Sequence, residues 1–347
     1  MRRLNDLLRR WWRSLDRKYL RPGYKPNLPD QINIETASIC NLRCACCPHG
    51  VARSAMRPSG MMSVETFQRV LSHLDIPLKH AYLHLHGEPF LNPNLALFVE
   101  ELTRRQVTVN LYSNGVAVDE AQLDAILQLQ HVTVNFSADL LGQEYYEGIR
   151  VGAHYADALN KLDAINALFA RRNKYFNLVI IVDGSLAERT SASAARGADA
   201  IYESCQSLYT RYSRLNGILL GSKFPWPRLP WTGDLTGHLG RERHRCSHAF
   251  EGLSILWNGV ATMCSFDYTG ECVVGSLLEH TYTEVFNSPA ARRFRALHWR
   301  HRDSELPLCN DCVLDRYVPS SVKLHRAGFL KQDKNETTQI IQSFFRL

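Results

Sequence analysis

The 347-residue sequence has no run of about 20 uninterrupted apolar residues, the length a helix needs to cross a bilayer. Its first residues, MRRLNDLLRRWW, are charged and lack the apolar core of a secretory signal peptide. The sequence therefore predicts a cytoplasmic protein. Of the net charge of +7, the first twenty residues contribute +5, from seven Arg or Lys and two Asp. Because the remainder is nearly neutral, no nucleic-acid partner is expected.

The basic N-terminal segment, residues 1–30, has apolar side chains at helical spacing, with arginines on the other sides. The apolar positions are Leu4, Leu8, Trp11 and Leu15. The simpler interpretation is a helix packed on the main domain. The alternative is a basic amphipathic helix that contacts a membrane surface or an acidic partner.

Short segments rich in β-branched and aromatic residues alternate with segments of helical period from residue 32 onward. The predicted strands are Ile32–Ile39, Ala81–His86, Val107–Tyr112, Val132–Phe136 and Leu178–Val182, with Leu215–Leu220 as a candidate sixth. The predicted helices between them are Val64–Leu74, Leu95–Arg105, Glu120–Leu129 and Tyr155–Arg171. This alternation predicts an α/β fold with a parallel sheet, open or closed into a barrel. In such folds functional residues gather where strands end.

Eight of the ten cysteines fall in two groups, which a packed core does not require. The first group lies between Cys40 and Cys47, and the second between Cys246 and Cys312 if Cys272 is set aside. In a reducing cytosol, clustered cysteines more often bind metal or take part in catalysis than form disulfides. The grouping therefore indicates two metal sites.

The first group contains a C-x3-C-x2-C motif, formed by Cys40, Cys44 and Cys47, at the end of the first predicted strand. Three thiolates on one loop can bind three irons of a [4Fe–4S] cluster and leave the fourth iron open to another ligand. Zinc is the competing metal, but structural zinc usually takes four ligands in paired C-x2-C knuckles.

This loop resembles the cluster loop of the radical S-adenosylmethionine (SAM) superfamily, and residues 32–221 fit that superfamily's partial (β/α)6 barrel. The resemblance extends to polar segments at the ends of the second, third and fourth strands, where a GEP motif receives the SAM amino group in relatives. Each motif alone is only a turn signal, and their value comes from their order along the chain. The resemblance implies SAM contacts from Gly87, Glu88, Pro89, Ser113, Asn114, Ser137, Asp139 and Arg150, the last at a place where relatives bind the carboxylate.

One position departs from the superfamily pattern. The residue before Cys47 is often aromatic or a larger apolar residue in the family, and here it is Cys46. We expect Cys46 to pack near the adenine as a small hydrophobic side chain. An exchange of ligand roles between Cys46 and Cys47 is the alternative.

The second group resembles the SPASM and twitch extensions of radical SAM enzymes, because Cys246 is followed by twelve residues, Gly259, four residues and Cys264, and later by Cys309-Asn-Asp-Cys312. The resemblance implies that these four cysteines ligate one complete auxiliary [4Fe–4S] cluster. A second auxiliary cluster would need cysteines after Cys312, and the sequence has none there. A zinc ribbon made from the same thiolates is the alternative.

Two further cysteines and two histidines remain to be placed. Cys205 lies in a helical segment and is expected in the core. Cys272 is interpreted as a packed thiol, an alternative cluster ligand, or a catalytic residue that gives a hydrogen atom to a substrate radical. His244 and His248 flank Cys246, so either could replace a thiolate.

The resemblance divides the chain into four parts. They are a basic helix and linker (residues 1–30), a radical SAM partial barrel (31–222), an auxiliary cluster domain (240–318) and a polar C-terminal tail (319–347).

The function implied by the resemblance is that of a radical SAM oxidoreductase. In such an enzyme SAM is reductively cleaved to methionine and a 5′-deoxyadenosyl radical, which abstracts a substrate hydrogen, and an electron then passes to the auxiliary cluster. Two substrate classes are expected, a ribosomal peptide or a small polyol or aminocyclitol, with a flavodoxin- or ferredoxin-like electron donor. The alternatives are a redox-neutral epimerase that uses Cys272 as hydrogen donor, and a non-enzymatic zinc-binding interaction protein.

Overall fold

The computed structural model describes residues 28–182, 194–222, 226–227, 229, 246–310, 312–313 and 321–345. The predicted N-terminal helix, and with it the proposed membrane or acidic-partner contact, lies outside the described residues. His244 lies outside them as well. Within the described part of the chain, no helix has the length and apolarity required to cross a membrane.

Six parallel strands form the main part of the sheet, and they confirm the predicted α/β fold. They are β1 (Gln31–Ile34), β2 (His80–Tyr82), β3 (Thr108–Ser113), β4 (Val132–Ser137), β5 (Phe176–Val182) and β6 (Leu215–Ser222). They lie side by side in the order of the sequence. The first strand ends earlier than predicted, because the chain after Ile34 leaves the sheet and leads into the loop that carries Cys40.

Helices connect the parallel strands, as a right-handed crossover between parallel strands requires. They are α1 (Pro48–Val51), α2 (Val64–Ser72), α3 (Leu95–Arg104), α4 (Glu120–Leu127), α5 (Gln143–Ile149), α6 (Tyr155–Arg171) and α7 (Ala194–Arg211). Two of them start where the sequence supplies a cap: the side chain of Ser63 accepts a hydrogen bond from Thr66 N, and that of Asp119 accepts one from Gln122 N.

The core lies between the sheet and these helices. In β5 every second residue is buried, beginning with Phe176, as expected for a strand covered by helices. Phe67 of α2 stacks on Phe98 of α3 with ring centroids 4.2 Å apart, and both side chains are buried. Cys205 is fully buried on α7, which confirms its predicted place in the core.

The sheet continues beyond the barrel at both edges. On one side β7 (Ser254–Ile255) pairs with β1, and β8 (Val260–Thr262) and β9 (Val273–Ser276) follow it. On the other side β10 (Ser321–His325) pairs antiparallel with β6. The remaining helices are α8 (His248–Glu251), α9 (Tyr282–Phe286), α10 (Pro289–Trp299), α11 (Arg326–Phe329) and α12 (Lys334–Phe345).

The segment after residue 319 was expected to be a polar tail. Its described residues instead form the edge strand β10 and the helices α11 and α12. Its apolar positions explain the difference. Leu324 and Phe329 are buried, and the ring of Phe329 stacks on Tyr202 of α7 with centroids 5.0 Å apart. These few apolar residues lie among many polar ones, so composition alone did not reveal them.

Asn92 joins the loop that follows β1 to the loop that precedes α2 from within the core. Its side-chain amide donates to Thr36 O at 2.7 Å and to Met62 O at 2.9 Å, and the side chain is fully buried. We expect Asn92→Ala to lower the free energy of unfolding by about 2 kcal/mol, because the buried carbonyls of Thr36 and Met62 lose a donor. Urea denaturation of the metal-free protein measures this free energy. Gln130→Ala, at an exposed position, should change it by less than about 0.5 kcal/mol; equal effects would contradict this role.

Candidate functional site

A large cavity opens at the carboxyl ends of the parallel strands. It encloses about 890 Å³ of empty space, part of it continuous with solvent, which is within the range of small-molecule sites. Its walls bring together predicted site residues from five separate segments of the chain. They are Cys40, Cys44, Cys46, Cys47, Gly87, Glu88, Ser113, Asn114, Ser137 and Arg150.

Backbone hydrogen bonds hold the cysteine loop at this cavity. Arg43 N donates to Val151 O, and Ala45 N donates to Ile149 O, both at 2.9 Å. The short helix α1 begins directly after Cys47. The conformation is tight enough that a Cβ on Gly50 would lie 2.2 Å from the carbonyl oxygen of Cys44. The loop is thus fixed by its main chain, and its four cysteines line the cavity.

The GEP motif passes very close to the same loop. A Cβ on Gly87 would lie 2.1 Å from Ala37 O, so only glycine fits there. Glu88 N donates to Ile39 O at 2.8 Å. Pro89 begins a short 3-10 helix, Pro89–Leu91. The motif therefore lies against the segment that leads to Cys40.

The Glu88 carboxylate accepts its hydrogen bonds from donors of the same chain. It accepts hydrogen bonds from Phe90 N at 3.1 Å, Ser113 Oγ at 2.8 Å and Asn114 N at 2.7 Å. Burial raises the pKa of Glu88 to about 7, although these donors oppose the shift. The carboxylate therefore fastens the end of β3 to the GEP motif.

Asn114 and Arg150 both reach the cysteine loop. The Asn114 side chain donates to Asn41 Oδ1 at 2.8 Å and lies 3.9 Å from Cys40 Sγ. Arg150 donates through Nη1 to Cys44 Sγ at 3.7 Å and through Nε to Asp139 Oδ2 at 2.7 Å.

The Arg150 guanidinium stays charged despite its burial. Burial alone lowers the pKa of Arg150, but Asp139 and the cysteine sulfurs outweigh it and the net shift is upward. Asp139 is itself held by a bond from Ile181 N at 2.5 Å. It therefore acts in this structure as the partner of Arg150, and it does not line the cavity among the described residues.

A buried network at the same cavity was missed by the sequence analysis. Arg57 donates to Glu35 Oε1 at 2.6 Å and to His86 Nδ1 at 3.1 Å. Burial and the nearby Arg57 lower the pKa of His86, with Glu35 opposing, so the ring is neutral at pH 7. Because a guanidinium can only donate, Nδ1 accepts and the proton is on Nε2. No motif marks this network, since Arg57 lies in a loop without a sequence signal.

The second cysteine group lines a separate cavity of about 400 Å³ of empty space. All four predicted ligands of the auxiliary site face it, together with two histidines. These residues are Cys246, Cys264, Cys309, Cys312, His248 and His298. His248 was predicted as an alternative ligand, but His298 was not, because no spacing rule connects it to the cysteines.

Cys272 lies beside this second group and not in the walls described for the first cavity. Its thiol hydrogen-bonds the sulfur of Cys309; this contact, with one from His298, lowers the pKa of Cys309 to about 6 against the effect of burial. The same contact, and burial, raise the pKa of Cys272. Asp267 holds the turn by accepting from Cys272 N at 2.8 Å. Of the three predicted roles, this placement favours a packed thiol or an alternative ligand.

Both cysteine groups have the chemistry that an iron–sulfur cluster needs. Each offers four thiols in a cavity, and burial raises the pKa of Cys40 to about 11, so bound iron would have to stabilise the thiolate. Among the described residues, no group of three or more His, Cys, Asp or Glu side chains is placed to hold a metal ion. Cluster ligation, in which each thiolate binds a separate iron, therefore stays a prediction for these residues.

The raised pKa of Glu88 predicts how stability depends on pH. Between pH 4.5, its ordinary pKa, and about 7 the folded state binds more protons than the unfolded state. The free energy of unfolding of the metal-free protein should therefore fall as pH rises through this window, by about 3 kcal/mol from this group. Urea denaturation at several pH values should show a smaller fall in Glu88→Gln. The exposed control Glu284→Gln should keep the wild-type slope; an unchanged slope in Glu88→Gln would refute the assignment.

Two family models match separate parts of the chain. Residues 34–188 match the model of the radical SAM superfamily, and residues 246–313 match SPASM, an iron–sulfur cluster-binding domain. The first range covers the loops that build the first cavity, and the second contains the four auxiliary cysteines. These domain types imply [4Fe–4S] clusters together with SAM.

Two curated proteins show sequence similarity to parts of the chain. A GTP 3′,8-cyclase from Chlorobaculum tepidum is 27% identical over 140 residues, which cover 40% of this chain and 41% of that protein. An S-adenosyl-L-methionine-dependent 2-deoxy-scyllo-inosamine dehydrogenase from Niallia circulans is 32% identical over 103 residues, covering 28% of this chain and 40% of that protein. The chain thus spans about two fifths of the length of each relative.

Solved structures share the fold over most of the chain. The structure of anSMEcpe with bound AdoMet superimposes with a TM-score of 0.59 at 14% identity, covering 90% of this chain and 96% of that one. BtrN in complex with AdoMet and 2-DOIA gives a TM-score of 0.52 at 15% identity, with 83% and 94% covered. At these identities the similarity shows the fold alone. The two family models show that the chain belongs to the radical SAM superfamily and has a C-terminal SPASM domain.

Proposed function

We propose that this protein is an oxidoreductase that removes a hydrogen atom from a substrate carbon in the first cavity and passes one electron to an auxiliary [4Fe–4S] cluster in the second. The observation that carries the proposal is the presence of two separate cavities, each lined by four cysteines. When bound, the first cluster and SAM supply the 5′-deoxyadenosyl radical.

The ligand assignment follows from where the sulfurs lie. Cys40, Cys44 and Cys47 would hold the first cluster, with Cys46 as an exchangeable neighbour because it lines the same cavity. The second cluster would be held by the four cysteines of the second cavity. Complete ligation there leaves no iron open, which suits electron transfer.

Side chains around the first cavity would bind and orient SAM. Arg150 uses Nε and Nη1 on Asp139 and Cys44, so Nη2 remains to meet a carboxylate. The Glu88 carboxylate already accepts hydrogen bonds from three donors of this chain. Glu88 would therefore position the GEP backbone toward the SAM amino group. Ser137 lines the same wall.

We favour a small polyol or aminocyclitol as the substrate class. The wall of the first cavity includes side chains that can hydrogen-bond hydroxyls, among them Tyr112 and Ser137. The similarity to a 2-deoxy-scyllo-inosamine dehydrogenase also supports this class. The substrate carbon would lose a hydrogen atom to the 5′-deoxyadenosyl radical. Its hydroxyl would then lose a proton, and the remaining electron would pass to the auxiliary cluster, so that a carbonyl forms.

A ribosomal peptide is the second candidate, because the cavity is continuous with solvent on one side and could admit a side chain from a longer substrate. A flavodoxin- or ferredoxin-like protein would supply the electron that reduces the first cluster before SAM is cleaved. Oxidation is favoured over epimerisation. An epimerase would need a thiol beside the substrate to return a hydrogen atom, and Cys272 does not lie in the described wall of the first cavity. Cys272 is 3% exposed and hydrogen-bonded to Cys309.

Iron content tests the two-cluster assignment and the zinc alternative together. We expect about eight irons per chain after anaerobic reconstitution, because two [4Fe–4S] clusters form. Replacing Cys40, Cys44 and Cys47 by Ala should leave about four irons, and replacing Cys264 and Cys309 should also leave about four. Zinc as the main metal, or loss of all iron in either variant, would contradict the assignment.

The close approach of Gly87 predicts its effect on SAM binding. In Gly87→Ala the new methyl would meet Ala37 O, so the GEP segment must shift away from the cysteine loop. We expect SAM to bind at least about tenfold more weakly, a loss of roughly 1.4 kcal/mol, in equilibrium dialysis with iron content unchanged. Gly221→Ala is the matched control, because nothing lies within 4 Å of its Cβ position. Equal SAM affinity in both variants would contradict the proposed role.

Turnover assays test the reaction itself. Reduced, reconstituted protein is incubated with SAM and 2-deoxy-scyllo-inosamine, other aminocyclitols, or candidate peptides. We expect 5′-deoxyadenosine and a product lighter by two hydrogens in equal amounts. A product of unchanged mass that carries solvent deuterium would favour epimerisation instead.

A further inference from the structure

The sulfur of Cys309 has a buried histidine beside it. His298 Nε2 lies 3.6 Å from Cys309 Sγ, and the residue is only 5% exposed. Both side chains line the second cavity. An imidazole buried against a sulfur is thus part of the auxiliary site, yet the spacing of the cysteines gives it no role.

The helix that carries His298 fixes the position of its ring. Ser288 caps the start of α10 by accepting a hydrogen bond from Ala291 N at 3.2 Å. One turn before His298, the ring of Phe294 packs against the imidazole with centroids 4.8 Å apart. The imidazole is therefore held in place by packing, independently of any ligand in the cavity.

The direction of the hydrogen bond follows from the chemistry of the sulfur. A thiolate that ligates iron has no proton to give, so His298 must donate from Nε2 and Cys309 must accept. A donor on a ligand sulfur stabilises negative charge, and a reduced cluster carries one more negative charge than an oxidised one. Hydrogen bonds to the sulfurs therefore raise the reduction potential of an iron–sulfur cluster.

We propose that His298 donates a hydrogen bond to the Cys309 thiolate and thereby raises the reduction potential of the auxiliary cluster, which makes it a better acceptor for the electron of the substrate radical. The inference rests on the proposed function, because it takes Cys309 as a ligand. His298 is a positioning residue, since it acts through Cys309 and touches neither substrate nor SAM.

The Cys272 thiol also hydrogen-bonds the Cys309 sulfur, and it stays unchanged in every variant of the test, so the comparison isolates the contribution of His298. Cys264 Sγ accepts from the backbone N–H of Phe266 at 3.4 Å, which no side-chain substitution removes. His248 lines the same cavity, and its Nδ1 lies 3.4 Å from the hydroxyl of Ser265. His248 is therefore a matched control for His298, because it lines the same cavity but its described hydrogen bond is to a serine.

The test is a redox titration of the full-length chain carrying Cys40→Ala, Cys44→Ala and Cys47→Ala, so that only the auxiliary cluster gives an EPR signal. His298→Leu removes the donor, His298→Asn shortens its reach, and His298→Gln keeps an N–H near the position of Nε2. We expect the Leu and Asn variants to lower the equilibrium constant for one-electron reduction roughly tenfold, which is about 59 mV. His298→Gln and the control His248→Leu should stay within roughly threefold of the parent, about 28 mV.

Each contrary result has a defined meaning. An unchanged potential in His298→Leu with about four irons retained would overturn the inference while leaving the proposed function intact. An equal fall in His248→Leu would also overturn it, because any polar group in the cavity would then produce the shift. Loss of an iron in both the Leu and Asn variants would make His298 a ligand and overturn the inference. A parent without an iron–sulfur signal would refute the proposed function itself.

Discussion

The structure depends on one tight contact, between the loop that carries the first cysteines and the GEP segment. Gly87 has no space for a side chain because the carbonyl of Ala37 occupies it, and Glu88 N bonds Ile39 O. The Glu88 carboxylate then ties the end of β3 to the same place. Three successive strand ends are thus joined by short bonds, and the thiols face a cavity whose walls are already fixed. Such preorganisation is what a site for radical chemistry requires.

The two cavities are linked through a short piece of chain and a set of rings. Trp226 lines the first cavity and Pro227 lines the second. The Trp226 indole donates to Cys46 O at 2.9 Å and lies edge-on to Phe266, with centroids 5.1 Å apart. Phe266 N in turn bonds the sulfur of Cys264. The proposed division of labour, with one site making a radical and the other accepting an electron, therefore has direct packing between its two parts.

The sequence was sufficient for the regular part of the fold. Tyr155–Arg171 is a helix with the predicted bounds, because its apolar residues recur at helical spacing along the segment. The six strands were found because parallel strands covered by helices read as short apolar runs. The edge strand β10 was missed, since half of an edge strand faces solvent and its apolar positions are few. Pairing with β6 is a long-range contact that no local pattern encodes.

In the candidate site, too, some residues were predictable from sequence motifs and others were not. Motifs at strand ends located Glu88 and Asn114, the resemblance to the superfamily located Arg150, and the structure brings all three to one cavity. Arg57 and His298 were not predictable, because they come from a loop and a helix without a motif. Their roles arise from burial beside a charge or a sulfur, which only the folded chain creates.

The central claim is that three sulfurs of the first cavity leave one iron open to SAM. Electron–nuclear double resonance on the reduced protein, with SAM labelled at its amino nitrogen by a magnetic isotope, measures this directly. We expect a hyperfine coupling between that nitrogen and the cluster, and Cys47→Ala should abolish it. A reduced cluster whose spectrum shows no coupling to labelled SAM at saturating concentration would contradict it.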